Sequence, residues 1–184
     1  MKNILLYLSA FIPMYVLVLL KHGLEMIVGN IKPNLLNIFV LCLLFVVILL
    51  GVIGLLLEVN RKQKTQKIII TDKTNTTDEH FLGYFSLFVL FAISFDLSKL
   101  SMLLVFIMVI VMIGIVYVKN KLFYINPFLN ILGFNFYDIT YKTQDSNKEQ
   151  TTKIFFKGDL LLGKRYCVKI KDENFNFLDS SPKK

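Results

Sequence analysis

The stretch YINPFLNILGFNFYDITYK, residues 124–142, begins where the last long apolar run of the chain ends. It is too polar to lie in hydrocarbon and too rich in large apolar side chains to be a loose tail. The dipeptide Asn126-Pro127 is a turn signal, and the residues from Phe134 onward alternate as in a half-buried strand. We therefore expect a change at this stretch from a membrane part to a small β-rich part.

The chain is 55% hydrophobic, and its most apolar segments are four runs upstream of this stretch. A helix rises about 1.5 Å per residue, so about 20 apolar residues cross the hydrocarbon core of a bilayer. The runs predict an α-helical integral membrane protein with four transmembrane helices, followed by a small β-rich cytoplasmic domain. The predicted spans are residues 4–20, 35–57, 81–97 and 100–118, within a transmembrane domain of residues 1–122, and the β-rich domain is residues 123–184.

The first apolar run is interpreted as an uncleaved span. It is longer than the apolar region of a usual signal peptide, and Lys21-His22 follows it without a small-residue cleavage site. A cleaved signal peptide is the alternative interpretation. Pro13 lies near the middle of the run and predicts a kink, because proline cannot donate a backbone hydrogen bond in a helix interior.

Lysine and arginine residues indicate the orientation of the spans. Placing both termini and the loop between the second and third spans in the cytoplasm puts 18 basic residues inside and 3 outside. We therefore predict a multi-pass protein with both termini in the cytoplasm. Basic residues beside spans also attract anionic lipids, at about 1 kcal/mol each.

The interiors of the spans contain no charged residue and no histidine. This argues against a coupled transporter or a pump, because proton relays and ion pathways normally need such residues. Gly51 and Gly54 lie one turn apart in the second span, and small residues allow helix backbones to approach closely. We predict a helix-contact face at these two glycines.

The sequence contains no recognisable catalytic motif. His22 and His80 fall on opposite sides of the membrane in the predicted topology, and nucleophile, zinc, redox and nucleotide motifs are absent. Cys42 and Cys167 lie in different parts of the chain, so neither a disulfide framework nor a metal cluster is indicated. We therefore expect a protein that is not an enzyme, with no cofactor and no metal.

Four spans with both ends inside, followed by NPFLNILGFNFY and a basic β-rich module, resemble the KwaA family, the membrane subunits of the Kiwa anti-phage defence system. The resemblance covers most of the chain as architecture, and Phe134 stands where the family motif leads us to expect Tyr. Within the motif, the residues that carry the resemblance are Asn126, Pro127, Leu129, Leu132, Gly133 and Tyr137.

The resemblance implies a homo-oligomer in the bacterial inner membrane that recruits a soluble cytoplasmic partner, the DNA-binding protein KwaB. The pair would detect phage attack at the envelope and suppress phage DNA replication and late expression. In that scheme this subunit senses and anchors, and it contacts nucleic acid only indirectly, through the partner.

Two sets of polar residues suit such a role. Polar groups of the outer loops are candidates for a sensing face: His22, Glu25, Lys32, Asp96 and Lys99. Basic residues on the inner side could bind an acidic partner surface by complementary charge: Arg61, Lys62, Lys64, Lys164, Arg165, Lys169 and Lys171. The alternative for both sets is ordinary solvated charge that orients the spans.

Functions from different classes remain open at this point. The first is an oligomeric membrane sensor and scaffold that recruits a cytoplasmic effector. The second is a small channel or pore-forming effector without catalytic activity, which the kink and the glycine pair would suit, although no span shows a polar stripe to line a pore. A third, an immunity or lipid-interacting protein, has no specific support in the sequence.

Overall fold

The computed structural model describes residues 2–59, 65–120, 122, 125–143, 146–169 and 176–178. Within them, apolar helices precede and interrupt a small β-structure. The helices are α1 Lys2–Ala10, α2 Ile12–Ile27, α3 Leu35–Val59, α4 Thr77–Ser94, α5 Leu100–Lys119 and α6 Pro127–Ile131. The strands are β1 Thr65–Asn75, β2 Asn135–Thr143, β3 Ser146–Phe156, β4 Arg165–Lys169 and β5 Asn176–Leu178.

Two helices of the described residues, α3 and α5, are each long and apolar enough to cross a membrane. Their 25 and 20 residues correspond to lengths of about 38 and 30 Å. The consecutive helices α1 and α2 meet the same criterion only as one bent pair, and the apolar part of α4, Leu82–Ser94, is shorter. Within the described ranges there are thus two or three such segments, and the arrangement with four spans stays a prediction.

The first apolar run is broken at Phe11. Helices α1 and α2 meet there at an angle of 54°, and Pro13 lies in the first turn of α2, where its missing N–H removes no intrahelical hydrogen bond. The kink predicted from Pro13 is therefore confirmed, with the break two residues before the proline. Helix α2 continues to Ile27, so His22 and Glu25, expected in the outer loop, lie on a helix.

Helices α1 and α3 meet at two glycines. A Cβ atom at Gly54 would lie 2.5 Å from the Cβ of Leu5, and one at Gly51 would lie 3.1 Å from the carbonyl oxygen of Leu8. Both glycines are buried. The backbones of the two helices can approach this closely because neither position carries a side chain.

Five strands of the described residues close into a barrel in the order β1-β2-β3-β5-β4. Neighbouring strands are antiparallel except β3 and β5, which are parallel. A β-rich part after the last long helix was predicted and is confirmed, whereas its closure into a barrel was not foreseen. The barrel has its own hydrophobic core, formed by Ile68, Ile70, Tyr137, Ile139, Ile154, Phe156, Leu160, Tyr166, Val168 and Leu178.

Strand β1 lies where the sequence predicts a charged cytoplasmic loop between the second and third spans, so this part of the prediction is wrong. The strand pairs with β2 on one side and with β4 on the other, so it completes the barrel wall. Ile68 and Ile70 lie in the barrel core and are almost fully buried, and β-branched residues favour strands. This apolar pattern is short and has lysines on both sides, so it could not be recognised as a strand from the sequence. The barrel therefore includes a segment that precedes the predicted boundary at residue 122.

Three aromatic rings on the outer surface of the barrel continue the helical core. Phe155 lies between Phe136 and Phe177, with ring centroids 5.3 and 5.4 Å apart. All three rings are buried, and they belong to the same hydrophobic core as Phe11 and Leu129 of the helical part. Helix α6 contacts α1, α2, α4 and β2. The helices and the barrel therefore share one continuous core, with α6 between them.

Candidate functional site

The barrel is joined to the helices at a junction, which comprises Ser9, Thr77, Asn126, Leu129 and Phe136. Asn126 precedes α6 and accepts the backbone N–H of Leu129 on its side-chain oxygen at 3.3 Å, so it caps this helix. Its side-chain nitrogen donates to the hydroxyl of Ser9 on α1 at 3.0 Å. Both side chains are buried. A hydrogen bond that is removed from water in this way fixes α6 against α1.

Helix α6 ends in a Schellman motif. Gly133 adopts a φ of 84°, and its N–H donates to the carbonyl oxygen of Asn130 at 2.9 Å. The N–H of Phe134 donates to the carbonyl oxygen of Leu129 at 3.0 Å, which completes the motif. Because a positive φ strains other residues, glycine is required at this position. The chain is thereby directed from α6 into β2. Phe134 lies between these two elements, and the centroid of its ring is 5.8 Å from that of Phe177.

The start of α4 forms the second connection of the junction. The hydroxyl of Thr77 accepts the N–H of Phe136 in β2 at 2.7 Å, and the N–H of Thr76 donates to the carbonyl oxygen of Phe136 at 3.1 Å. Strand β1 leads into α4 with a single intervening residue. Helix α4, which contains most of the third predicted span, is therefore hydrogen-bonded to the barrel at its first turn. These threonines were not identified as functional residues from the sequence.

A second group of residues, the outer cluster, comprises His22, Glu25, Asn37, Asp96 and Lys99. His22 on α2 is 2% exposed, and its Nε2 atom has no hydrogen-bond partner among the described residues. The carboxylates of Glu25 and Asp96 lie close enough to act electrostatically on its ring. Asn37, near the start of α3, lies against the same ring. The cluster thus draws on α2, α3 and the turn between α4 and α5.

Asp96 organises the turn between α4 and α5. Its Oδ1 atom accepts the N–H of Ser98 at 3.2 Å as well as the Ser98 hydroxyl, and its Oδ2 atom lies 3.4 Å from Nζ of Lys99. The hydrogen bond from Ser98 lowers the pKa of this carboxyl group below its ordinary value. Nearby, Nζ of Lys21 donates to the carbonyl oxygens of Ile93 and Phe95, both at 3.1 Å. The end of α2 is thereby attached to the end of α4.

Four of the five residues proposed for a sensing face interact electrostatically. The charges of Glu25 and Asp96 act on His22, and Lys99 pairs with Asp96. The side chain of Lys32 is exposed. The backbone of Lys32 is connected to the outer cluster, because its carbonyl oxygen accepts the side-chain N–H of Asn37 at 2.8 Å. Neither Asn37 nor Lys21 was identified from the sequence.

A family model for the anti-phage protein KwaA covers residues 2–177. The chain belongs to the KwaA family. The resemblance inferred from the sequence is therefore confirmed, and family membership associates the chain with anti-phage defence. No curated protein and no solved structure matches it.

Residues of the KwaA-like motif build the junction. Asn126 provides the cap and the bond to Ser9, Pro127 occupies the first turn of α6, and Gly133 ends this helix. Leu129 and Tyr137 are buried, one in the helical core and one in the barrel. The motif by which the family was recognised thus has a structural role, which is to seat the barrel beneath the helices.

The basic residues proposed for partner binding are described only in part. Arg61, Lys62, Lys64 and Lys171 lie outside the described residues, and Lys169 is described by its backbone alone, as the last residue of β4. Lys164 and Arg165 are exposed where the chain enters β4. The structure therefore places two of the seven side chains on the barrel surface.

The described residues contain no group of three or more His, Cys, Asp or Glu side chains that could hold a metal ion. A polar groove of about 380 Å³ on the barrel is lined by acidic, threonine and lysine side chains, among them Asp72, Asp138 and Lys153. The prediction of a non-enzymatic protein without a cofactor stays a prediction.

Proposed function

We propose that this member of the KwaA family is an oligomeric sensor and scaffold of the bacterial inner membrane. In this proposal the chain spans the membrane four times, with both termini in the cytoplasm. Envelope disturbance changes the helices, and the barrel recruits a soluble, DNA-binding partner of the KwaB type. The observation that carries the proposal is the junction, because it joins the membrane helices to the barrel through buried hydrogen bonds and a shared aromatic core.

The connections of the barrel support the proposed topology. Helix α3 precedes β1, α4 follows it, and α5 precedes α6 and β2. The end of α3, the start of α4 and the end of α5 therefore lie on the barrel side of the helices. The turn between α4 and α5 lies beside His22, at the other end. Because the barrel carries exposed basic residues, we place it in the cytoplasm.

The outer cluster is proposed as the sensing element. The charges of Glu25 and Asp96 act on His22, and Nζ of Lys21 attaches α2 to the carbonyl oxygens of Ile93 and Phe95 at the end of α4. A disturbance of the outer leaflet that moves α4 against α2 would break the hydrogen bonds of Lys21 and change the charges around His22. Helix α2 follows α1 directly, and Ser9 of α1 is part of the junction. A movement of α2 would therefore be transmitted through α1 to the barrel.

The basic surface of the barrel is proposed as the recruitment element. Arg165 and Lys164 are exposed, and complementary charge speeds the association of proteins and selects among partners. The same residues beside the membrane attract anionic lipids. In this scheme nucleic acid is bound by the partner and reaches the membrane only through it.

Co-purification from detergent tests the proposal. We expect the double substitution Arg165→Glu, Lys169→Glu to abolish retention of the partner while membrane insertion is unchanged. A matched control is Lys142→Glu, at a lysine that pairs with Glu149 at 3.3 Å on the same barrel. An unchanged yield of the partner with the double variant would contradict the proposed docking surface.

The alternative, a small channel without catalytic activity, has less support. A cavity of about 210 Å³ among α1, α2, α3 and α5 is lined almost entirely by apolar side chains such as Val40, Leu44 and Phe106. Such a cavity offers few polar groups to water or ions, so it is poorly suited to conduct them. Steady ion flux through liposomes that contain only this protein would favour the channel over the scaffold.

A further inference from the structure

The outer cluster buries a titratable side chain almost completely. His22 is 2% exposed, and its Nε2 atom is buried without a hydrogen-bond partner among the described residues. Asn37 is also 2% exposed, and its Oδ1 atom likewise has no partner in the described part of the chain. One buried polar atom on α2 and one on α3 are therefore left without a hydrogen bond from these residues.

These two unpartnered atoms oppose the arrangement that buries them. A polar atom that is buried in this way has lost its hydrogen bonds to water without replacement, which costs free energy. Native proteins keep few such atoms. Any arrangement of α2 and α3 that admits water to both atoms recovers this cost. Other contacts must therefore keep the cluster closed.

Contacts on both sides of His22 hold α2 in this closed arrangement. Nζ of Lys21 donates to two carbonyl oxygens at the end of α4, both at 3.1 Å. Gly23 faces α3, because a Cβ atom at this glycine would lie 4.0 Å from Cδ2 of Leu41. His22 therefore belongs to the part of α2 that packs against α3 and α4 together.

Charged groups on two elements act on the ring of His22. On α2 itself, Glu25 favours the protonated ring and Lys21 disfavours it. From the turn between α4 and α5, Asp96 favours the protonated ring, and this carboxylate is itself paired with Lys99 at 3.4 Å. Helix α3 presents a neutral amide to the cluster. The charges around the ring are therefore of both signs.

Burial is the largest influence on the ring. His22 lies beyond the first predicted span, residues 4–20, and burial lowers the pKa of its ring below the ordinary value although two carboxylates act in the opposite direction. In an open arrangement, where the ring meets water, the pKa returns to about 6.5. The closed cluster therefore favours the neutral ring, and an open cluster favours the protonated ring.

We propose that the outer cluster is a proton-sensitive switch, in which protonation of His22 from the outer aqueous phase releases α2 from α3 and from the end of α4. The ring gains one proton and one positive charge, and the hydrogen bonds of Lys21 are exchanged for bonds to water. Nε2 of His22 and Oδ1 of Asn37 are hydrated in the same step. This inference rests on the proposed function, in which the cluster is the sensing element, and it names the stimulus as a fall in pH at the outer face of the membrane.

Linkage gives the direction and the size of the effect. The closed form has the lower pKa at His22, so it loses stability relative to the open form as the pH falls through the ordinary pKa. Between about pH 7.5 and pH 5.5, this favours the open form by as much as about tenfold. The carboxyl group of Asp96 does not contribute in this range, because its pKa is lowered from an ordinary value that is already acidic.

Thiol labelling of the full-length protein in proteoliposomes tests the proposal. Leu97, in the turn between α4 and α5, is 2% exposed and lines one cavity together with Tyr15 of α2 and Val40 of α3. Leu97→Cys, with serine at both natural cysteines, therefore reports opening to a membrane-impermeant maleimide. Because the thiol itself reacts more slowly in acid, each rate is divided by the rate of the same protein with His22→Gln, whose side chain stays neutral.

We expect this ratio of labelling rates to rise by as much as about tenfold from pH 7.5 to pH 5.5. The matched control is His80→Gln, at the only other histidine of the chain, and it should leave the rise unchanged. A ratio that does not change with pH overturns the inference. If the partner is nevertheless retained in co-purification, the proposed function stands without it. If the ratio rises and the wild type retains no partner, the proposed function fails and the switch remains.

A second measurement needs no cysteine variant. The chain has two histidines, so imidazole carbon resonances of ¹³C-labelled protein follow both rings, and His80→Gln identifies the resonance of His22. We expect His22 to titrate with a pKa below its ordinary value of 6.5. Titration at or above this value would mean that the closed cluster does not resist protonation, and the proposal would be wrong.

Discussion

The helical part and the barrel place their apolar side chains in opposite ways. On α3 and α5, large residues such as Leu57 and Ile115 are exposed, at 64% and 61%, because lipid is the solvent expected there. The barrel carries its apolar residues inside, and its outer wall has polar pairs such as Lys142 with Glu149. The helical part therefore suits a lipid environment, and the barrel suits water. At the aromatic face around Phe155 the two parts pack against each other, so solvent is excluded from both there.

The barrel nevertheless does not follow the helices as a separate unit. Its first strand lies between α3 and α4 in the chain. Any change that separates β1 from the other strands also changes the positions of two helix ends. Four experiments test the helical part, the barrel and the junction between them, ordered by the size of the expected effect.

The largest effect is expected from a charge inside the barrel. Ile70→Asp would bury a carboxylate at a fully buried position, at a cost of more than about 4 kcal/mol. We expect the barrel to become sensitive to protease in detergent while the helices remain inserted. Thr71→Asp, at the exposed neighbouring residue, is the control. A barrel that stays protease-resistant in the Ile70→Asp variant would contradict the assignment of β1.

The contact between α1 and α3 gives the next effect. Gly54→Leu would place side-chain atoms where Cβ of Leu5 already lies, and overpacking of this kind destabilises by about 1–3 kcal/mol. Thermal unfolding in detergent measures the change. The control is Gly83→Ala on α4, where an added Cβ would meet nothing within 4 Å. Equal melting temperatures for the two variants would disprove the close approach of the helices.

The junction allows a sharper test of coupling between the two parts. Asn126→Ala removes a helix cap and the bond to Ser9, with an expected loss of about 1–2 kcal/mol. Together with Ser9→Ala it forms a double-mutant cycle, and we expect a coupling energy of about 0.5–1.5 kcal/mol. Additive losses would mean that the two side chains act independently.

The smallest effect is expected at the turn between α4 and α5. The pKa of Asp96 is lowered in the folded protein, so its stabilising contribution is present above the unfolded pKa and is lost as the pH falls through the folded pKa. Ser98→Ala should raise this pKa toward its ordinary value. The variant should therefore be slightly less stable than the wild type at pH 6, and the difference should shrink as the pH falls through the folded pKa of Asp96. A difference that is independent of pH would assign the effect to packing.

The helices were easier to predict from the sequence than the barrel. Apolar runs of about 20 residues are local signals, and Pro13 identified the bend to within two residues. Strand β1 was missed because its apolar core is short and its partners lie about 60 to 100 residues later in the chain. Long-range pairing leaves no local pattern from which closure into a barrel could be read.

The candidate site was predictable to different degrees in its two parts. The residues of the sensing face were proposed from their position in the predicted outer loops, although His22 and Glu25 lie on α2. The buried amide of Asn37 and the capping role of Lys21 depend on helix packing, and no spacing rule indicates them. At the junction, Asn126 and Gly133 were recognised through the family motif. Their bonds to Ser9 and Asn130 became clear only from the structure.

The placement of β1 between two membrane helices has a consequence for biosynthesis. The ribosome delivers this strand about 60 residues before β2, and β5 is the last of the described strands in the chain. During translation, β1 has an unpaired edge on each side while α4, α5 and α6 are made. The barrel can close only after β5 has been synthesised. A polypeptide that stops after α5 would keep this strand without its barrel neighbours, so the closed barrel is a late product of synthesis.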